Sequence, residues 1–183
     1  RQAFQSHNFC QLCECFGKAY RTIDPQSKCG FEGAGTFKAG DHLDGFVMDV
    51  EGREYRSLAD TVEYCYHVAG VVGVMMAYVM GVRDEPTLDR ATDLGLAFQL
   101  TNICRDVVED AEVGRVYVPR DWLAEAGVPA DKVAAPEHRD GVFEVVRRVL
   151  SEADRYYRSA WLGISQLPPR SAWAVAAANA VYS

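Results

Sequence analysis

The sequence predicts an all-α protein. Apolar residues recur at helical spacing through residues 58–80, 87–108 and 136–162, and no stretch sustains strand alternation. Glycine or proline also stands near the end of most of these runs, where helices stop. With 183 residues and 49% hydrophobic content, the chain can build one domain with a real core. The net charge of −7 excludes general nucleic-acid binding.

Taken in order, residues 41–50 read as a short helix broken near Gly52. Ser57 is a candidate N-cap for a helix over 58–80, closed by Gly81. From within that run to just past its end, 18 residues (65–82) lack Asp, Glu, Lys and Arg. That length suits a membrane span, but the run's glycines, His67 and tight charged flanks point to a buried helix of a helical protein. Pro86 sits near the start of the next helix, over 87–108. A loop or short extended piece follows at 114–119, then a short helix over 121–126 ended by Gly127 and Pro129. Residues 136–162 form a long amphipathic helix with Val142, Val145, Val146, Val149 and Leu150 on its apolar face. Pro168 and Pro169 break it, and a last helix over 170–182 reads as cut short.

Residues 1–40 differ from the rest. They hold Cys10, Cys13, Cys15 and Cys29, a Gly-rich stretch at 30–35 and no lasting helical period. Weak order is expected there, with a helical domain over 41–183. No second Cys or His pair follows at finger spacing, so zinc is not expected. Cys65 and Cys104 lie in apolar helical patterns and are expected to be buried, reduced thiols of a cytoplasmic protein. His67, amid apolar residues, is expected to be a satisfied core histidine.

The richest stretch is 94–110. On a helix turning about 100° per residue, Gln99, Asn102, Asp106 and Asp110 fall on one polar stripe. Leu96, Leu100, Ile103 and Val107 fall beside it. Asp106 and Asp110, four residues apart, project the same way and repel each other unless a cation intervenes. A hard divalent ion takes carboxylate oxygens together with substrate phosphate oxygens. Arg105 flanks the pair with a fork suited to phosphate. Two readings stand on pattern alone: an ordinary solvated acidic face, or a metal-binding edge on an apolar cavity wall.

The order Gly95, Gln99, Asn102, Arg105-Asp106, Asp110 and Arg115-Val116-Tyr117-Val118-Pro119 resembles the second aspartate-rich signature of the squalene and phytoene synthase family. Tyr64-Cys65-Tyr66-His67-Val68-Ala69-Gly70-Val71-Val72-Gly73 resembles a second signature of that family. The likeness runs from Asp41 to Tyr182 and is nearest to bacterial-type phytoene synthases. The resemblance implies an isoprenoid-synthase-type helical bundle around a central prenyl cavity. It also implies head-to-head condensation of two geranylgeranyl diphosphates through prephytoene diphosphate to phytoene, in carotenoid biosynthesis.

By the same resemblance Tyr64, Asp106 and Asp110 are catalytic, and Asn102, Asp106 and Asp110 hold Mg²⁺ or Mn²⁺. Val68, Ala69, Val72, Gly73, Gln99, Arg105, Arg115, Tyr117 and Tyr182 are substrate-binding. Lipid substrates and product imply peripheral membrane contact. Alternatives are a squalene or shorter-chain dehydrosqualene synthase, and a non-catalytic member acting as an assembly factor. The family's first aspartate-rich helix has no counterpart here, Asp24 being the only aspartate before Asp41, so an incomplete chain is expected.

Overall fold

A computed structural model describes residues 34–167 together with residues 169, 172, 173, 175 and 176. Cys10, Cys13, Cys15, Cys29, Tyr182 and most of the last expected helix lie outside the described residues. Among the described residues every regular element is helical, as the periodicity predicts. The α-helices are α1 (Ala34–Val50), α2 (Leu58–Cys65), α3 (Val71–Val79), α4 (Glu85–Arg105), α5 (Val107–Glu112), α6 (Arg120–Glu125) and α7 (Arg139–Ile164). The first begins at Ala34, inside the stretch expected to lack a helical period.

Ser57 caps α2 as expected. Its Oγ accepts from the Asp60 N–H, and Asp60 Oδ2 accepts from the Ser57 N–H at 2.8 Å, so two end donors are satisfied reciprocally. The run over 58–80 is not uniformly α-helical. Tyr66–Gly70 forms a π-turn between α2 and α3, a local widening of the helix common at functional sites. Gly81, at φ +94°, closes α3, and the Val82 N–H reaches back to the Ala77 carbonyl. Asp84 caps α4 by accepting from the Thr87 N–H at 3.0 Å, with Pro86 in the first turn.

Helix α4 is the hub. It packs along α7 and against the π-turn and α3. A Cβ on Gly95 would run into the Ala69 carbonyl oxygen, and one on Gly73 into the Ala91 carbonyl oxygen. These glycines let backbone meet backbone. Leu96, Leu100 and Ile103 of α4 are buried against Val142, Val145, Val149 and Ala153 of α7. The apolar row of α4 is therefore core and not an open cavity wall. Leu150, expected on the apolar face of α7, is 40% exposed, because that face runs Val142, Val145, Val149, Ala153, Tyr157 and Ala160 instead.

The stretch Leu58–Val79 is long and apolar enough to cross a membrane by length and composition. Its buried Thr61, Tyr64, Cys65, Val71, Val74 and Ala77 face the protein core. Cys65 and Cys104 are buried free thiols, and burial pushes the Cys104 thiol up to about 12. His67 is half-buried, and its Nδ1 lies 2.7 Å from the Asp41 carbonyl oxygen on α1.

Replacing Gly95 by Ala should destabilise the fold by about 1–3 kcal/mol through overpacking at the helix crossing. Gly40 lies within α1, and a Cβ there would meet nothing within 4 Å. Gly40→Ala should therefore stabilise by about 0.5–1 kcal/mol. Urea denaturation of both variants checks the contrast; a Gly95→Ala protein as stable as its parent would remove the close-approach argument.

Candidate active site

The polar stripe of α4 ends in a bend. Asp106 leaves the helical region (φ −102°, ψ 11°), and the short α5 starts after it. The Asp110 N–H still donates to the Asp106 carbonyl at 2.8 Å, so the two carboxylates stay one turn apart. After α5, Gly114 at φ +80° turns the chain back. Its N–H donates to the Ala111 carbonyl, and the Arg115 N–H donates to the Asp110 carbonyl at 2.8 Å. This helix stop delivers Arg115 and Tyr117 to the carboxylates.

Two further ties fix Tyr117. Buried Thr61 donates its hydroxyl to the Tyr117 carbonyl at 2.8 Å. The Arg120 and Asp121 N–H groups donate to the Tyr55 and Arg56 carbonyls at 3.0 and 2.9 Å. The loop before α2 and the loop before α6 are thereby strapped together. Tyr64 and Tyr117 stack with ring centroids 4.8 Å apart and planes 19° from parallel, and Tyr55 leans on both. Asp49, in the last turn of α1, accepts from Tyr117 OH at 2.9 Å on Oδ1 and from Tyr64 OH at 3.1 Å on Oδ2.

Asp110 is half-buried, and burial together with the Asp106 charge pushes its carboxyl up to about 6; Arg115 opposes the shift and Asp49 adds to it. Asp106 is gripped by the neighbouring guanidinium, with Arg105 Nε 2.8 Å from Oδ1 and an Arg105 terminal nitrogen 2.7 Å from Oδ2. Burial first, then Tyr117 and Asp49, drives the Tyr64 phenol far above its ordinary range. Burial also pushes Tyr117 up to about 12. Arg115 is held charged, chiefly by Tyr117 and by Asp49.

Asn102 Oδ1 is buried without a hydrogen-bond partner. An orphaned amide oxygen one turn before two repelling carboxylates suits a hard cation, which takes oxygen donors and needs no proton from them. Among the described residues no cluster of three or more His, Cys, Asp or Glu forms, so protein donors supply only part of a coordination shell.

The structure thus gathers Tyr64, Asp106, Asp110, Arg115 and Tyr117 around one face. Gln99 and Asn102 stand half-buried on α4 toward the bend. Val68, Ala69, Val72 and Gly73 are half-buried on the π-turn and α3. Gly73 and the Ala69 carbonyl take part in the crossing with α4. A cleft of about 60 Å³ opens beside the site between Asp49, Arg53, Tyr55, Arg115, Tyr117 and Arg120. Sequence reasoning passed over Asp49 and Tyr55. The available signal was a lone carboxylate inside the apolar turn Phe46-Val47-Met48-Asp49-Val50.

Fold and site together define an α-helical protein of the isoprenoid-synthase type, with paired carboxylates and stacked tyrosines linked through Arg115. The family model for squalene/phytoene synthase matches residues 38–183. The chain belongs to the squalene/phytoene synthase family. It is similar to the 15-cis-phytoene synthase of Enterobacter agglomerans, 61% identical over 142 residues covering 78% of this chain and 48% of the relative. The 15-cis-phytoene synthase of Pantoea ananas is 58% identical over 142 residues, 78% of this chain and 46% of that one. A solved dehydrosqualene synthase in complex with ligand superposes with a TM-score of 0.74 at 28% identity, covering 80% of this chain and 52% of that one. The chain spans about half the length of the curated relatives it matches.

The raised Asp110 pKa gives a signed stability effect. The folded state holds this proton more tightly than the unfolded chain, so the contribution is full below the ordinary carboxylate value. It is lost as pH rises through about 6. Asp110→Asn should therefore raise Tm near neutral pH in metal-free buffer, and the gain should shrink as pH falls toward the ordinary carboxylate range. Thermal melts across that range decide it; a lower Tm for Asp110→Asn at neutrality counts against the buried like-charge account.

Proposed function

We propose that this chain carries catalytic machinery of a phytoene synthase. The reaction joins two geranylgeranyl diphosphates head to head, through prephytoene diphosphate, to phytoene in carotenoid biosynthesis. One observation carries the reading: the half-buried Asp106–Asp110 pair stands beside the stacked Tyr64 and Tyr117, with Asn102 Oδ1 unpartnered next to it. The high identity to proteins named 15-cis-phytoene synthase supports the substrate class.

The chemistry follows from the parts. An allylic diphosphate ionises only if the leaving anion is stabilised and the carbocation is kept from water. Asn102, Asp106 and Asp110 would hold Mg²⁺ or Mn²⁺, which would supply Lewis-acid stabilisation of the leaving diphosphate. Arg115 adds fixed positive charge beside Asp110. Arg105 holds the Asp106 carboxylate by its two-point grip, and its fork would suit a diphosphate oxygen. Tyr117 would offer a carbocation the ring face that Tyr64 does not cover, with buried Tyr64 stacked behind it. Val68, Ala69 and Val72 would line the path of the prenyl chain, and Gln99 would hold solvent or diphosphate oxygens.

The exposed Leu43, Phe46, Val47 and Val50 of α1 support peripheral contact of a cytoplasmic protein with the membrane that dissolves such lipids. A squalene- or dehydrosqualene-type reaction on a shorter diphosphate is the second reading, favoured by the likeness to a dehydrosqualene synthase.

The intact protein carrying this sequence, given geranylgeranyl diphosphate and Mg²⁺, should release phytoene, identified by mass spectrometry. Asp106→Asn should lower turnover by roughly a hundredfold or more with helicity unchanged. A hydrocarbon formed only from farnesyl diphosphate would favour the second reading. No hydrocarbon from either substrate would turn the argument toward the non-catalytic assembly role.

A further inference from the structure

Asp49 has no part in the chemistry above, yet it is the most connected carboxylate of the site. Each of its oxygens accepts one phenol, from Tyr117 at 2.9 Å and Tyr64 at 3.1 Å. Those phenols come from two different elements, α2 and the loop before α6, while Asp49 comes from a third. The two rings it holds are stacked, so a small rotation of either would break both the stack and a hydrogen bond. Neighbours on the same turn, Phe46, Val47 and Val50, are exposed. The one charged side chain of that turn instead points inward to two hydroxyls.

We propose that Asp49 is a positioning residue that holds Tyr64 and Tyr117 as neutral phenols with their rings stacked toward the Asp106–Asp110 face. Its functional consequence rests on the prenyl-transfer reading; its geometry does not. A phenol beside an allylic cation must stay protonated. A phenolate oxygen would attack the cation, form a C–O bond and end turnover on the protein. Donating the O–H to a carboxylate opposes that ionisation in two ways: it gives the proton a strong acceptor, and it sets a negative charge against a second one. The same donation polarises the ring and enriches its face, which strengthens its attraction for a cation.

The titratable groups around the pair come from every side: Asp49 from α1, Tyr55 from the next loop, Asp110 from α5 and Arg115 after it. Arg115 is the positive charge among them and favours phenolate. Burial opposes it first, and Asp49 is the carboxylate that adds to that opposition directly at both hydroxyls. A purely structural tie between α1 and the loop would need an acceptor but no charge, and that difference is measurable.

Asp49→Asn keeps size and one acceptor and removes the charge. After circular dichroism confirms unchanged helicity, phenol ionisation is followed by ultraviolet difference absorbance, with Tyr117→Phe to assign the Tyr117 step. The Tyr117 step should move to lower pH in Asp49→Asn. Superimposable titrations in parent and variant would overturn the proposal whatever the activity. In an active protein, Asp49→Asn should lower kcat roughly tenfold or more with KM within about twofold, because the loss falls on the cation and not on diphosphate binding. A shifted titration in a protein that makes no hydrocarbon would sink the prenyl-transfer reading and leave the Asp49 assignment standing. If Asp49→Asn does not fold, Asp49→Ser, which also removes the charge and keeps a hydroxyl acceptor in a smaller side chain, takes its place: a Tyr117 step at lower pH than in the parent supports the assignment, and an unmoved step overturns it.

Discussion

Backbone-to-backbone contact between the π-turn, α3 and α4 governs where everything else lies. Gly95 meets the Ala69 carbonyl and Gly73 meets the Ala91 carbonyl, at separations no side chain would permit. That crossing seats α4 in the centre, so its apolar row is consumed by α7 and its polar row is turned toward the end of α1 and the two loops. The carboxylates sit where they do because of where two glycines allow the helices to approach.

Placement by the helices is then refined by the loops. The strap between residues 55–56 and 120–121 and the Thr61 bond bring Tyr55 and Tyr117 against Tyr64 without any regular element joining them. The stop at Gly114 couples the same loop to Asp110 through the Arg115 N–H. Charge and aromatic wall are therefore set by one short segment, residues 113–119, whose backbone is bonded to α5 at one end and to α2 in its middle. A change in that segment would move Arg115 and Tyr117 together.

Much of this was legible in residues. Helical periodicity with glycine and proline stops located α2, α3, α4, α6 and α7 within a few residues, and Ser57 announced its capping box. Family-like spacing picked out Tyr64, Asp106, Asp110, Arg115 and Tyr117, which the fold brings together. What periodicity could not supply was long-range partnership. The i, i+4 pattern of α4 placed a polar row beside an apolar one but gave no means to tell core from cavity, since both are apolar. The π-turn was hidden because it changes the hydrogen-bond span and not the composition. Asp49 was missed because its meaning lies in two hydroxyls 15 and 68 positions away.

The acceptors of this site divide into two kinds, and the division says where stability has been given up. Asp49 is fully engaged by O–H donors from the protein. Asn102 Oδ1 is buried with none, and Tyr55 OH and Arg120 Nε nearby in the strap are also unpartnered. Leaving a buried polar group unpaired costs about 1–3 kcal/mol. Asp110 adds a carboxylate whose charge is disfavoured by burial and by Asp106. The rest of the core, from Leu96 to Val149, carries no such debt among the described residues. A fold that needed only to stand would have placed apolar side chains at 102 and 110. Concentrating an unsatisfied amide oxygen and a half-buried pair of like carboxylates at one end makes sense if an external cation completes them, because such a cation would relieve the repulsion and supply the charge that the chemistry requires.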